Sequence, residues 1–377
     1  MKCKLLFVVN VDSFFISHRL PIALSAIKQG YEVHIATVLT DSKKLLESHG
    51  LVVHPIHLSR NSSGIFTIWQ TFSQIRSLFL SLQPDIVHLV TIKPVLWGGL
   101  AARIAGVPAV VSSVSGLGFV YMAKGFFSPV RRLLVNWLYR VTLGHSNIRV
   151  IFQNSDDLAY MRENTNLSLN KTNIICGSGV SLGNFTFKSL PKGTPVVLMA
   201  SRMLTHKGLL EFVDVARSFQ KEGVKARLVL VGEPDPGNPA SVNIIKISTW
   251  VSEGILEYWG QRRDMPEVLA TASIVVLPSY REGFPKVLME AASCGRAIVT
   301  TDVPGCRDAI EPGVTGLLVP IKDSKALANA IKSLLFNPGR IVEMGLAGRK
   351  LAEKSFDVGQ VVAQHMQIYK ELTTRFG

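Results

Sequence analysis

Two glutamates, Glu282 and Glu290, stand on either side of the segment whose residue types point most directly to chemistry. An apolar run at 274–277 predicts a strand, and a helical pattern begins near Lys286, just after a glycine–phenylalanine–proline turn. Proline suits the first position of a helix, and the unpaired N–H groups of a helix start favour phosphate. Glu290 would lie about 7–8 Å further along such a helix, at about 1.5 Å per residue. The segment therefore predicts a sugar-nucleotide site, with a helix cap and two solvated acids as the alternative.

Two basic residues upstream give this predicted site a second part. Residues 196–200 form an apolar run typical of a buried strand, and Arg202 and Lys207 follow it closely. Open α/β sheets bind ligands at the carboxyl ends of their parallel strands. Arg202 can bind a phosphate through two N–H groups, and Lys207 adds a compact charge. Either residue alone would suggest a solvated surface charge, but together with the two glutamates they indicate one anion site.

These residues belong to a set of motifs that resembles one enzyme family, the retaining glycosyltransferases of family 4. The similar positions in the C-terminal half are Ser201-Arg202, Lys207-Gly208, Gly260, Glu282-Gly283-Phe284-Pro285, Glu290-Ala291, Gly305 and 313–319. The N-terminal half, with SHRLP at 17–21 and YEVH at 31–34, looks like the bacterial subgroup that builds surface polysaccharides and polyprenyl-diphosphate-linked glycans. The resemblance covers almost the whole chain. It implies an α/β fold of two Rossmann-like domains facing across a cleft, the GT-B fold.

The same resemblance implies a role for each residue of the donor site. Glu290 would bind the ribose hydroxyls, and Glu282 would act on the donor sugar. Arg202, Lys207 and the helix amides near 284–287 would stabilise the leaving diphosphate as its charge builds. The donor-binding set comprises Arg202, Lys207, Gly283, Phe284, Pro285, Lys286, Val287 and Glu290. No aspartate pair of the DxD type is evident, and this family usually works without a metal, so we expect neither a metal nor a cofactor.

The N-terminal half offers further candidates for catalysis and for acceptor binding. Many family members have a histidine where Ser115 stands, next to Gly116, so the role of that histidine is either absent or moved. His18 and His88 would face the same cleft if the fold is right, although a lone histidine is more often structural. Asp12, on the first loop, is a further candidate to engage the acceptor hydroxyl.

Alternating patterns, with strands such as 196–200, 227–231 and 274–277 and helices such as 17–29 and 208–222, predict two parallel sheets covered by helices. A length of 377 residues with 47% hydrophobic residues suits two domains of ordinary size. We predict an acceptor domain over 1–188 and a nucleotide-sugar domain over 189–356, joined by a hinge-like linker at 189–195. By the resemblance, a C-terminal helix in 357–377 crosses back to the first domain.

The charge distribution narrows the choice of partners. The net charge is +14, and residues 1–190 contain 18 lysines and arginines against 8 acidic residues. An anionic membrane surface attracts such a face, whereas no zinc motif, RNA-binding aromatic motif or basic run favours nucleic acid. Four cysteines without metal or disulfide spacing favour a reducing compartment, and no convincing signal peptide is present. We therefore expect a peripheral protein at the cytoplasmic face of the inner membrane.

Two stretches deserve comparison with membrane segments. Residues 104–123 carry no charge over 20 positions, but their serines, glycines and proline favour a loop, a buried strand at 109–113 and a turn. Residues 126–150 combine aromatic rings with four arginines. This pattern fits a helix that lies in the bilayer interface and fits equally an ordinary core-facing helix with a basic outer face.

The resemblance therefore implies a retaining hexosyltransferase that moves a UDP-linked sugar, an N-acetylhexosamine, to a polyprenyl-diphosphate-linked saccharide of a surface glycan such as O-antigen. A GDP-linked donor or a deoxy-N-acetylsugar is the alternative within this class. An NAD-dependent oxidoreductase is the rival from another class, although only Gly116 and Gly118 match the dinucleotide fingerprint and Tyr121 replaces its third glycine. A non-catalytic membrane-bound subunit is a third reading, which the intact basic and acidic site residues disfavour.

Overall fold

The structure is a computed structural model that describes residues 2–58, 64–117 and 128–374. The chain divides into two compact units. Unit 1 comprises Met1–Ser178 and Gly359–Gly377, and unit 2 comprises Gly179–Val358. Each unit is built on one parallel sheet, as the alternating pattern of strands and helices predicts.

Unit 1 contains seven strands in the order β3-β2-β1-β4-β5-β6-β7. They are β1 (Lys4–Val11), β2 (Glu32–Val38), β3 (Val52–Pro55), β4 (Ile86–Val90), β5 (Ala109–Val114), β6 (Ile148–Phe152) and β7 (Thr172–Ile174). The helices are α1 (Asp12–His18), α2 (Leu20–Lys28), α3 (Lys43–Ser48), α4 (Ile65–Leu82), a π-helical turn (Pro94–Gly98), α5 (Gly99–Ala105), α6 (Ser128–Leu143), α7 (Ser155–Asn164) and a 3₁₀ turn (Leu169–Lys171).

Unit 2 contains six strands in the order β10-β9-β8-β11-β12-β13. They are β8 (Val196–Ala200), β9 (Arg227–Val231), β10 (Glu257–Tyr258), β11 (Ile274–Leu277), β12 (Ala297–Thr301) and β13 (Gly316–Val319). The helices are α8 (Leu209–Glu222), α9 (Ile244–Ser252), α10 (Met265–Thr271), α11 (Lys286–Ser293), α12 (Ser324–Leu335) and α13 (Pro338–Ser355), with 3₁₀ turns at Thr205–Lys207 and Arg307–Ala309.

The last helix, α14 (Val358–Thr373), belongs almost entirely to unit 1. The Tyr369 hydroxyl is hydrogen-bonded to Nδ1 of His88 on β4, at 2.6 Å. The Asn147 side chain donates to the carbonyl of Leu372 at 3.2 Å. These contacts fix α14 to the sheet formed by the N-terminal part of the chain.

The division between the units lies ten residues before the boundary that we predicted at 188/189. Residues 179–188 are part of unit 2 because their backbone is bound there. Val180 forms a bridge with Asp357, and Arg349 donates to the carbonyl of Phe185 at 2.9 Å. The buried Arg296 side chain donates to the carbonyl of Lys188. The linker composition at 189–195 therefore marks a loop of unit 2 and not the domain boundary.

Side chains of β1 alternate between two apolar layers on opposite faces of the unit 1 sheet. Leu6 and Val8 pack in the layer that includes residues of α4, α5 and α6. Leu5 and Phe7 pack in the layer that includes residues of α1, α2 and α14. Burial on both faces explains why the strands are continuous apolar runs.

Helix and strand bounds differ from the sequence pattern in a few places. The helix expected over 17–29 is two helices that meet at Arg19. Pro21, at the start of α2, has no N–H to continue a helix from the preceding turn. Of the two possible membrane segments, 104–123 contains the expected buried strand, and its residues 118–123 lie outside the described part of the chain. In residues 2–58, 64–117 and 128–374, no helix is both long and apolar enough to cross a bilayer.

Candidate functional site

The predicted donor-site residues lie on two loops that follow adjacent strands of unit 2. β8 and β11 pair in parallel, so their carboxyl ends meet at one edge of the sheet. The loop after β8 carries Arg202 and Lys207, and the loop after β11 carries Glu282 and leads into α11. The structure thus brings together the two segments that the sequence analysis joined.

Two glycines allow close packing around these loops. Gly208 has a φ of +79°, and a Cβ there would lie 2.1 Å from the carbonyl oxygen of Pro278. Gly305 has a φ of +80°, and its Cβ would lie 2.4 Å from the carbonyl oxygen of Gly283. Because only glycine has neither a Cβ nor a penalty for positive φ, both positions are fixed by the packing of the site.

Lys207 and Glu282 form an ion pair at the centre of the two loops. Both side chains are largely buried, and the Ser279 hydroxyl donates to the same Oε1 atom of Glu282 at 2.7 Å. From the sequence we expected Lys207 at the phosphates and Glu282 at the sugar, without contact between them. An ammonium has three N–H donors, so Lys207 can keep Glu282 and still donate to a phosphate oxygen.

Glu290 lies on α11 with only 7% of its surface exposed. Burial raises the pKa of its carboxyl group, and the Lys286 ammonium, 3.5 Å away, opposes that rise. Hydroxyl groups that donate to a buried carboxylate stabilise it, because they replace the hydrogen bonds to water that it lost on burial. The position therefore suits the binding of a diol such as the ribose of a nucleotide.

The start of α11 provides an electropositive backbone next to the ion pair. Pro285 precedes the helix, and its carbonyl oxygen accepts from the N–H of Leu288 at 3.1 Å. The N–H groups of Lys286 and Val287 belong to the first turn, where the helix dipole favours an anion. Phe284 is buried and packs edge-on against Phe356, with 5.7 Å between ring centroids, so its side chain supports the turn.

Arg202 does not join the pair formed by Lys207 and Glu282. Its Nη1 donates to Asp235 at 2.9 Å, and 56% of the Arg202 side chain is exposed. Asp235 follows β9, the strand on the other side of β8. Sequence reasoning missed Asp235, although its place shortly after a predicted strand was a usable signal. The remaining guanidinium N–H groups can still bind a phosphate.

A second missed group positions the loop that carries Glu282. The Tyr280 hydroxyl donates to Glu211 at 2.6 Å, and the Lys322 ammonium lies 5.0 Å from the centre of the Tyr280 ring. The N–H of Tyr280 donates to the carbonyl of His206 at 2.9 Å. Burial, and then Glu211, raise the pKa of Tyr280. Tyr280 therefore connects the loops after β8 and β11.

In unit 1, Asp12 is completely buried and has extensive hydrogen bonds. Its carboxylate accepts from the N–H and the hydroxyl of Thr40, each at 2.8 Å, and from the N–H groups of Ser13 and Ser42. Burial would raise the pKa of Asp12, but these hydrogen bonds outweigh that effect and hold it below its usual value. These bonds suit a residue that holds the loop after β2, so we omit Asp12 from the proposed chemistry.

His88 is also enclosed in unit 1 and faces the core. Its Nδ1 meets the Tyr369 hydroxyl, its Nε2 lies 2.7 Å from the Ser113 hydroxyl, and its ring stacks on His365. Burial lowers its pKa well below the usual value. The expectation that His88 faces a cleft is wrong because it lies under α14 with both ring nitrogens engaged.

Three polar side chains at the carboxyl edge of the unit 1 sheet have buried oxygens without a partner among the described residues. They are Asn10 Oδ1, Thr91 Oγ1 and Ser115 Oγ, on or just after the neighbouring strands β1, β4 and β5. Thr91 has a φ of +75°, which is rare for a β-branched residue and typical of functional sites. Such oxygens are suited to bind hydroxyl groups.

The remaining two candidates of unit 1 lie close to its strand ends. Gly116 follows Ser115 with a φ of +98°, a conformation that suits glycine. His18 is half-buried at the end of α1, with its ring stacked on Phe14 at 4.1 Å and its Nδ1 3.2 Å from the Phe14 carbonyl. Gly118 and Tyr121 of the weak dinucleotide fingerprint lie outside the described residues.

Comparison with known proteins decides the family. Residues 4–154 match the model "Glycosyl transferase 4-like", and residues 194–337 match "Glycosyl transferases group 1". A protein of Campylobacter jejuni, N,N'-diacetylbacillosaminyl-diphospho-undecaprenol alpha-1,3-N-acetylgalactosaminyltransferase, is 32% identical over 342 residues, which are 87% of this chain and 88% of the relative. The chain is a family 4 glycosyltransferase. This membership decides against the oxidoreductase and against the non-catalytic subunit.

Two further similarities extend the picture of this glycosyltransferase. An Escherichia coli protein, UDP-Gal:alpha-D-GlcNAc-diphosphoundecaprenol alpha-1,3-galactosyltransferase, is 25% identical over 260 residues, covering 66% of this chain and 65% of the relative. The structure of Anabaena Alr3699/HepE in complex with UDP is 18% identical with a TM-score of 0.78, covering 98% of this chain and all of that chain. The fold class predicted from the sequence, GT-B, is confirmed.

Proposed function

We propose that this glycosyltransferase moves an N-acetylhexosamine from a UDP-sugar to a saccharide linked to polyprenyl diphosphate, with retention of configuration and without a metal. The similarity to the Campylobacter jejuni enzyme carries the proposal, since that relative is named for N-acetylgalactosaminyl transfer to an undecaprenyl-diphosphate-linked sugar. The name of the Escherichia coli relative adds a UDP-linked donor. Because the carrier lipid resides in a membrane, the proposed place of action is the cytoplasmic face of the inner membrane.

In the proposed complex, the diphosphate lies at the start of α11. The N–H groups of Lys286 and Val287 and the ammonium of Lys207 donate to its oxygens, and Arg202 adds its guanidinium. Cleavage of the sugar–phosphate bond leaves negative charge on the diphosphate, so donors fixed in advance lower the barrier. Glu290 binds the ribose, and Glu282 lies at the donor sugar, held in place by Lys207 and Ser279.

The acceptor saccharide, in this proposal, binds at the strand ends of unit 1. The free oxygens of Asn10, Thr91 and Ser115 would accept hydroxyl or amide N–H groups of a sugar. Hydrogen bonds of this type orient a saccharide without requiring charge on it. Ser115, which stands where many family members have a histidine, would then contribute to binding and not to proton transfer.

The experiment combines the purified chain with an undecaprenyl-diphosphate-linked acceptor in detergent and reads the mass of the lipid product. UDP-GalNAc, UDP-GlcNAc, UDP-galactose and GDP-mannose are offered separately, each with EDTA and with Mg²⁺. We expect a mass increase of one N-acetylhexosamine, equal in both conditions. Transfer from GDP-mannose alone would overturn the donor, and product only with Mg²⁺ would overturn metal independence.

A variant pair tests the assignment of the donor site. Arg202→Ala should lower turnover more than donor binding, because its added charge matters most when the diphosphate leaves. Arg217→Ala is the matched control, since Arg217 is also an exposed arginine of unit 2 paired with an acid, Glu253. Equal turnover in both variants would remove Arg202 from the site.

A further inference from the structure

Helix α6 of unit 1 has apolar side chains on two opposite faces. Val135, Leu138 and Tyr139 face the core together with Leu143. Val130, Leu133, Leu134 and Trp137, here called the outer stripe, are exposed by 58–71%. Their spacing of three and four residues places them on one side of the helix. The inner face packs against the core of unit 1. Packing among the described residues does not account for the apolar side chains of the outer stripe.

Helix α4, on the same side of the sheet, also has exposed apolar side chains. Both α4 and α6 pack against the π-helical turn Pro94–Gly98 and against α5. On α4, Phe66 and Trp69 are exposed by 79% and 64%. Large apolar side chains concentrated in this way mark an interaction surface, and tryptophan is typical of the boundary between lipid and water.

Basic residues lie on the same helix as the outer stripe. Arg131, Arg132 and Arg140 are all exposed on α6, and the helix has no acidic residue. Arginine can place its apolar stem along a lipid surface while its guanidinium reaches the headgroups. The surface therefore combines apolar insertion with positive charge, which is complementary to anionic lipid headgroups.

We propose that the outer stripe of α6, together with Phe66 and Trp69 of α4, binds the interface of an anionic bilayer. The proposal rests on the proposed function only for its purpose, since it would keep the enzyme at the membrane that contains a lipid-linked acceptor. The sequence left open whether α6 is a core helix or an interfacial helix. On this proposal it is both, with one face for each environment.

The test is flotation of the purified full chain with vesicles of phosphatidylcholine alone and with about one-third phosphatidylglycerol. We expect binding to the anionic vesicles, with the partition coefficient of Leu133→Ser/Trp137→Ser lower by at least about tenfold, because two large apolar groups are lost from the inserted set. Arg131→Gln/Arg132→Gln should weaken binding to the anionic vesicles and leave binding to the neutral vesicles unchanged. Ile245→Ser, at a position of unit 2 that is 72% exposed, is the control and should bind as the wild type does.

Three outcomes would overturn the proposal. They are no binding of the wild type to either vesicle, equal binding to neutral and anionic vesicles, and equal losses in the Leu133/Trp137 variant and the control. A fourth outcome concerns a second copy of this chain as the occupant of the surface. If sedimentation without lipid shows a dimer that the Leu133/Trp137 variant abolishes, the surface serves self-association instead. The vesicles contain no acceptor, so membrane binding can be observed even if the proposed transferase function is wrong. Conversely, transfer to a short-chain, water-soluble acceptor can be observed even if the chain does not bind membranes.

Discussion

Replacing Lys207 by methionine separates the structural role of the central ion pair from its role in catalysis. Methionine keeps much of the side-chain volume and removes the charge. Glu282, which is largely buried, then loses its cation and, among the residues that the structure describes, keeps the hydrogen bond from Ser279. The variant should therefore lose both stability and turnover, but for two different reasons.

The two losses have different expected sizes. A partly buried carboxylate left without its cation should cost about 1–3 kcal/mol of the free energy of unfolding. In a unit of this size, that corresponds to a decrease in melting temperature of roughly 2–12 °C. Loss of one charged donor at the leaving diphosphate should lower kcat by about 10²–10³-fold.

The double variant Lys207→Met/Glu282→Gln gives the decisive comparison. The neutral amide needs no cation, so the melting temperature should recover most of its loss, while kcat should remain low. Lys207→Arg is the control, since it keeps the charge but changes the geometry. Melting is followed by calorimetry and kcat by release of UDP with acceptor present. Recovery of kcat in the double variant, or wild-type kcat in Lys207→Met, would refute the proposed role at the diphosphate.

Three further predictions concern burial, backbone strain and pH. Glu290→Gln should weaken UDP binding by about tenfold, measured by calorimetric titration, and an unchanged affinity would count against the ribose assignment. The same variant should stabilise the free protein at pH 7, since a carboxyl whose pKa is raised in the folded state destabilises the fold when it is ionised. Gly208→Ala should lower the melting temperature more than Gly254→Ala does. Gly254 has a φ of +71°, and a Cβ there would have nothing within 4 Å. Both substitutions cost about 1–2 kcal/mol because φ is positive, but only Gly208→Ala adds a clash, so equal melting temperatures would contradict this prediction. Burial lowers the pKa of His88, and lowers that of His365 to about 3. The unfolded chain therefore binds more protons below about pH 6.5, and each histidine lowers the free energy of unfolding by about 1.4 kcal/mol per further pH unit. His365→Leu should flatten the decline in the free energy of unfolding, measured with denaturant, between pH 6.5 and 5; an unchanged slope would show that His365 is less enclosed than in the structure.

Local apolar patterns were enough to predict most of the two sheets. The strands Val196–Ala200, Arg227–Val231 and Ile274–Leu277 have the predicted bounds, because a strand buried on both faces is a continuous apolar run between turns. The short strand β3 was missed since it lies at the sheet edge and is only partly buried. The break at Arg19 was missed because helical periodicity continues through Pro21.

The candidate site was predictable in its location but not in its pairing. Residues that follow the strands of one parallel sheet share the same edge of that sheet, and the pairing of β8 with β11 brings Lys207 and Glu282 together. That they form an ion pair, and that Arg202 instead contacts Asp235, depends on loop conformations that Gly208 and Gly305 permit. Burial of His88 beneath α14 depends on a contact between residues 281 positions apart, which no local pattern contains.

A crystal structure of the chain with UDP, grown in the presence of EDTA, would show where the diphosphate binds. We predict that it lies at the start of α11, within hydrogen-bond distance of the N–H groups of Lys286 and Val287 and of the Lys207 ammonium, with the ribose hydroxyls on Glu290. A nucleotide bound elsewhere, or bound only in crystals grown with Mg²⁺ in place of EDTA, would contradict it.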